Sequence, residues 1–210
     1  MKAKLVLCVG IVLLFLAPLS SSESTVLGVQ TDIVRVNMDA FDGGWLEERD
    51  GVKILHVSGS YYDMGYQHGY LLSDEIRIQK RMMLDFFEDM GFPYDVLVER
   101  WNEMKEYVPE PYMQEMQGMA DGSGISSEDI FVLNTLHDTA NFLSCCGAIM
   151  WGSATADGEL IHLRSGDLTI FMQDAETGTY WQELQAVIVH NPDNAYASVS
   201  PMWIGCVGSY

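Results

Sequence analysis

Apolar and polar positions change their period several times along the 210-residue chain. Residues 5–19, LVLCVGIVLLFLAPL, are an almost unbroken apolar run. Lys2 and Lys4 precede it and the small polar stretch SSSEST follows. A charged start, an apolar centre and a small-residue exit mark a secretory signal. The run is shorter than the roughly 20 apolar residues of a membrane span. Residues 1–22 are therefore expected to be a signal peptide or an uncleaved signal anchor. Residues 33–58 read as strand and turn, with IVRVNM, then Gly43-Gly44, then VKILHVSG. From Ser60 the spacing becomes helical, and Ser60 with Asp63 supplies an S-x-x-D start signal. One helix is expected over Tyr61–Met90, broken by Gly91 and Pro93. A second is expected over Tyr94–Tyr107, and a third over Pro111–Ala120. A fourth, EDIFVLNTLHDTA, is capped by Ser126 and Asp129.

After Asn141 the pattern turns to β. Residues 147–155, 159–164, 180–190 and 196–207 are strand-like runs, separated by Asp157-Gly158, Thr177-Gly178 and Asn191-Pro192. The Asp-Gly pair predicts a hairpin between the first two runs. Helices followed by strands favour an α+β fold over a βαβ array. The expected division is a signal at 1–22, a mostly helical segment at 23–144, and the start of a β-sheet region at 145–210. The last run is a hydrophobic strand, and two or three hairpins make a thin sheet. The expectation is a product truncated at its C-terminus.

Composition narrows the partners. Thirty Asp and Glu stand against eleven Lys and Arg, a net charge of −19. Such a chain lacks the basic stripe that phosphate backbones require, so no nucleic-acid partner is expected. Membrane contact is expected only through an uncleaved N-terminal segment. Export permits disulfides, yet Cys145, Cys146 and Cys206 are an odd number once Cys8 leaves with the signal. His56, His137 and His190 share no metal-ligand spacing, and no P-loop, GxGxxG, GxSxG or CxxC is present. Neither metal nor cofactor is expected. The methionines and tryptophans read as core, and a Met- and aromatic-lined acyl pocket is compatible with them.

The charge distribution singles out one residue. From Glu106 to Tyr210 the lone cation is Arg164. In the segment SCCGAIMWGSATADGELIHLRSGDL a hairpin would bring Arg164 towards Cys145 and Cys146. A guanidinium beside a thiol favours the nucleophilic thiolate. A carboxylate at Asp167 can orient that arginine or an amine. The same residues also fit two small core cysteines and a surface ion pair. His68 lies between Gly65 and Gly69, where close helix packing is its simplest role. His162 alternates with apolar residues in a strand.

The segment resembles the acyl-coenzyme A:6-aminopenicillanic acid acyltransferase (isopenicillin-N acyltransferase-like) family of N-terminal-nucleophile (Ntn) hydrolases. The matching residues are Cys145, Trp151-Gly152, Ala154-Thr155, Asp157-Gly158, Leu160-Ile161-His162, Arg164 and Asp167. SGSYYDMGYQHGYLL at 58–72 and GMADGSGISSEDIFVLN at 118–134 resemble two further family segments, so the likeness runs from about residue 50 to 207. Ser144, Leu163 and Ser165 depart from the family pattern. The resemblance implies an αββα sandwich that cleaves itself at the cysteine and then hydrolyses or transfers an amide-linked acyl group. It also implies further active-site residues in strands beyond this sequence. It assigns Cys145 as nucleophile, with Cys146 as the alternative, and Arg164 and Asp167 as its companions. The expected ligand is a small N-acyl amide or acyl donor, met outside the cytoplasm. A non-catalytic secreted or surface binding protein on the same fold is the alternative. A Cys145–His162 hydrolase that needs no chain cleavage is a third.

Overall fold

The computed structural model describes residues 34–36, 43–136, 144–167 and 172–208. The expected signal at 1–22, together with Cys8 and His137, lies outside them. The chain is α+β with a mixed sheet. Strands β1 (Val34–Val36), β2 (Trp45–Arg49) and β3 (Val52–Gly59) lead into helices α1 (Tyr61–Leu71), α2 (Ser73–Asp89), α3 (Tyr94–Met104), α4 (Glu110–Ser123) and α5 (Ser127–Leu133). Then come β4 (Ser144–Met150), β5 (Ile161–Asp167), β6 (Gln185–Pro192) and β7 (Ser198–Trp203).

One sheet has the order β1-β2-β3-β6-β7, and β4 pairs with β5 in a second, two-stranded ladder. Within the larger sheet β3 and β6 run parallel and every other pairing is antiparallel. The β3–β6 pairing matters for organisation. It joins a strand that precedes all five helices to one that follows them, so a boundary at residue 144 runs through the sequence span of a single sheet. Thr31–Tyr210 accordingly behaves as one compact unit.

Alternation along the strands sets the core. Leu55 and Val57 of β3, Ala186, Ile188 and His190 of β6, and Ser200 and Met202 of β7 are buried on the face that meets the helices. Ile54, His56, Val187, Val189 and Val199 alternate onto the opposite face and are only partly buried or exposed. The helical layer closes the first face with Met64, Leu72, Ile76, Met83, Phe87, Met116, Met119 and Ile130.

The expected capping box is present: Ser60 accepts from the Asp63 amide at 3.1 Å, and the Ser60 amide donates to the Asp63 carboxylate at 3.1 Å. The single helix expected over Tyr61–Met90 is two. Leu72 leaves helical geometry at φ −126°, ψ 30°, and its side chain is fully buried. Ser73 then opens α2, and Asp74 and Glu75 in its first turn are favoured by the helix dipole. That start signal lies inside an unbroken periodic run.

The tightest packing joins α1 to α4. A Cβ on Gly65 would stand 1.9 Å from the Glu115 carbonyl oxygen, and one on Gly118 would stand 2.0 Å from that of Tyr62. Gly69 and Gly122 repeat the contact one turn on. Two Gly-x-x-x-Gly stripes thus let the helices touch backbone to backbone. The close packing expected around His68 is present.

The hairpin between β4 and β5 also forms, but not through a two-residue Asp-Gly turn. Trp151–Leu160 connects the strands, with a 3-10 turn over Gly152–Ala154. Thr155 Oγ1 donates to the Glu159 carbonyl at 2.9 Å, and Gly158 holds φ +80°. Trp151-Gly152 ends the first strand early, because Gly152 at φ +60° redirects the chain.

Candidate functional site

The β4–β5 register gathers the residues singled out in the sequence. Cys145 lies opposite Gly166, Cys146 opposite Ser165, Gly147 opposite Arg164, and Ser144 opposite Asp167. Directly opposed residues share a face of a ladder. Positions 145, 164 and 166 therefore fall on one face, and positions 144, 146, 165 and 167 on the other. Position 164 is the diagonal neighbour of Cys145. Asp167 stands across from Ser144. His162 pairs with Ile149, four residues along β4 from Cys145. At 3.2–3.4 Å per residue that is about 13 Å, too far for a Cys–His hydrogen bond. The Cys145–His162 arrangement is not formed.

The other two motif segments meet elsewhere. His68, from the MGYQHG stretch, accepts from the Gly205 amide through Nε2 at 3.1 Å. Asn134, the last residue of DIFVLN, donates to the Gly205 carbonyl at 3.0 Å and accepts from the Val207 amide at 2.8 Å. It also donates to the Ile130 carbonyl at 2.9 Å, closing α5. Together they bind the backbone just beyond β7, where Gly205 adopts φ +90°. Burial pushes the His68 imidazole down to about 3, and the neighbouring His190 adds to the shift. His68 is thus a neutral structural acceptor. Cys206, in the same turn, is buried, and burial pushes its thiol up to about 12. It is an inert core residue, not a second nucleophile.

Two cavities flank this turn. The larger, of about 300 Å³, is lined by Trp101, Val108, Tyr112, Met116, Asn134 and Val207, among others. The smaller, of about 110 Å³, shares Tyr112 and Gly208 with it and includes Glu115 and His190. Glu115 and His190 are both buried, with Oε1 and Nε2 3.5 Å apart. The sequence carries no signal for this pair: one residue sits in a helix, the other in a strand 75 positions later. Among the described residues no cluster of three or more His, Cys, Asp or Glu is arranged to hold a metal. No described helix is long and apolar enough to cross a membrane.

No family model matches the chain. It is similar to an uncharacterized protein of Archaeoglobus fulgidus, at 27% identity over 191 residues, covering 76% of this chain and 30% of that protein. Two proteins of Dictyostelium discoideum, dcd1B and dcd1A, are 23% and 26% identical over 144 and 141 residues. Those matches cover 58% and 55% of this chain, and 29% and 31% of the relatives. The chain thus spans about 30% of the length of the relatives it matches.

Proposed function

We propose that the chain carries the nucleophile region of an exported cysteine Ntn hydrolase, acting on the carbon–nitrogen bond of an N-acyl amide by hydrolysis or acyl transfer. The observation behind this reading is the β4–β5 register, in which position 164 is the diagonal neighbour of Cys145 and position 167 pairs with Ser144, the residue before it. The resemblance of residues 145–167 to the isopenicillin-N acyltransferase-like family assigns the same three residues.

The chemistry runs in two stages. The Cys145 thiol first attacks the Ser144 carbonyl carbon. The peptide nitrogen takes up a proton and leaves as an amine, forming a thioester between Ser144 and Cys145 that water hydrolyses. Cys145 then heads a new chain with a free α-amine, whose ordinary pKa of about 7.7–8.0 suits a general base. In the second stage this amine accepts the thiol proton, and the thiolate attacks the substrate amide. The amine product leaves with a proton, and water or an acceptor amine resolves the thioester. Arg164 favours the thiolate, and Asp167 holds the new α-ammonium group.

Two features support the αββα arrangement. Helices cover one face of the five-stranded sheet, while Ile54, Val187, Val189 and Val199 leave the other apolar. Ile149, Trp151, Leu160 and Leu163, on and beside the β4–β5 ladder, are more than half exposed. A second sheet layer against these surfaces would bury both. The larger cavity, with Trp101, Tyr112 and Met116, suits an apolar acyl group.

Intact-mass analysis of the expressed chain tests the reading. Wild type is expected to split between Ser144 and Cys145 and to react with iodoacetamide at Cys145. Cys145→Ala is expected to stay whole and to release no amine from N-acyl amides. A whole but active wild-type chain overturns self-cleavage. Activity kept by Cys145→Ala and lost by Cys146→Ala moves the nucleophile to Cys146. A Cys145 inert to alkylation leaves a binding protein in place of the enzyme.

A further inference from the structure

Glu115 is a buried carboxylate of the helical layer with little to pair it. Its side chain is 4% exposed, and among the described residues its carboxylate meets one polar side chain, the His190 ring at 3.5 Å. That distance is long for a hydrogen bond. A carboxylate so withdrawn from water needs a full set of donors or a counter-charge. It faces the cavity of about 110 Å³, whose walls include Tyr61, Met64, Tyr112 and His190, with Pro192 and Tyr196 at the β6–β7 turn. No described lysine or arginine lines the space.

The geometry points to a binding site for a small organic ammonium ion, a protonated primary amine of a few carbons. The Glu115 carboxylate supplies the counter-charge and a hydrogen-bond acceptor. Tyr61 and Tyr112 line the space, and aromatic rings attract cations to their faces. Met64 and Pro192 offer apolar contact to its carbons. The size agrees, because one water needs only about 10–15 Å³ of such space, so a few heavy atoms fit. Competing ligands fare worse. An anion would meet the buried carboxylate. A calcium or magnesium ion wants at least six oxygen ligands or its own waters, and Glu115 is the lone carboxylate among the lining residues. A neutral ligand of the same shape would bring no counter-charge to the carboxylate beyond what the His190 ring supplies. The net charge of −19 draws cations towards the protein as a whole. This site lies among α1, α4 and β6 and does not depend on Cys145 chemistry.

The test is titration of the full 210-residue chain with n-propylammonium, followed by calorimetry and by the imidazole NMR signals of His190. The controls are 1-propanol and propionate. Saturable binding of propylammonium is expected, with neither control binding at the same concentration. Glu115→Gln, which keeps the side-chain volume, is expected to weaken propylammonium at least tenfold. Equal binding of 1-propanol, unchanged affinity in Glu115→Gln, or no binding to wild type at tens of millimolar overturns the site. Tyr112→Leu, at a more exposed position on the rim, keeps the test decisive if Glu115→Gln does not fold. It is expected to weaken binding severalfold, and unchanged affinity there also overturns the proposal.

Discussion

His68 on α1 accepts a hydrogen bond at 3.1 Å from the amide of Gly205, 137 residues further along the chain. The bond needs Nε2 unprotonated, and burial holds the ring in that state by pushing its pKa down to about 3. The unfolded ring titrates near 6.5. Below that pH the unfolded chain binds a proton that the folded chain refuses. The stability from His68 is therefore complete above about pH 6.5 and falls as the pH drops towards 3. The expected loss is about 2 kcal/mol between pH 6.5 and pH 5. Urea melts at the two pH values measure it. His68→Gln is expected to lower stability at pH 7 and to flatten this part of the profile.

The α1–α4 crossing predicts a second effect. Gly65→Ala pushes a methyl group into the Glu115 carbonyl, and Gly118→Ala does the same at Tyr62. Backbone cannot give way as a flexible side chain can, so each is expected to cost about 2–3 kcal/mol. Glu99→Ala, on the exposed part of α3, is expected to stay within about 0.5 kcal/mol of wild type. Thermal melts of the three variants give the comparison. A Gly65→Ala chain as stable as wild type would refute the contact.

Arg81 and Asp174 anchor the segment ahead of β6. Arg81 Nε and Nη2 each lie 2.7 Å from an Asp174 carboxylate oxygen, and Thr177 donates to the same carboxylate through its amide at 2.9 Å and its hydroxyl at 2.7 Å. The Arg81 hydrogen bonds hold the Asp174 carboxyl well below the usual range, against burial and helped by Thr177. The folded pKa is depressed, so this stability is present above about pH 4 and is lost in stronger acid. Asp174→Ala is expected to cost about 2–3 kcal/mol, since Arg81 loses its bidentate partner. It is also expected to open the Glu176–Gly178 turn to proteases, which limited proteolysis with mass mapping detects.

Register separates the expected roles of Arg164 and Asp167. Position 167 pairs with Ser144, so under the proposed Ntn reading Asp167→Asn is expected to slow self-cleavage and turnover together, by about 100-fold or more. Arg164, diagonal to Cys145, is expected to act through the thiolate. Arg164→Ala should then shift the pH dependence of Cys145 alkylation upwards by at least one unit. An unchanged alkylation profile in Arg164→Ala would remove arginine from the site.

Periodicity and caps in the sequence determined the elements. Ser60 with Asp63 starts α1, Pro93 precedes α3, and Ser126 with Asp129 starts α5, because capping and backbone restriction act within a few residues. The lone cation of the second half drew attention to Arg164 for a similarly local reason. Local signals lose force where several conformations cost nearly the same. The break at Leu72 lies inside a helical pattern and is settled by where Leu72 is buried. The Asp157-Gly158 pair promised a tight turn, whereas Gly152 had already redirected the chain. Tertiary structure alone paired β3 with β6, strands separated in sequence by all five helices, set two glycine stripes against each other, and brought Glu115 to His190. Those contacts join positions tens of residues apart. Their partners are chosen by how helices and strands pack once formed, which no short stretch of sequence encodes.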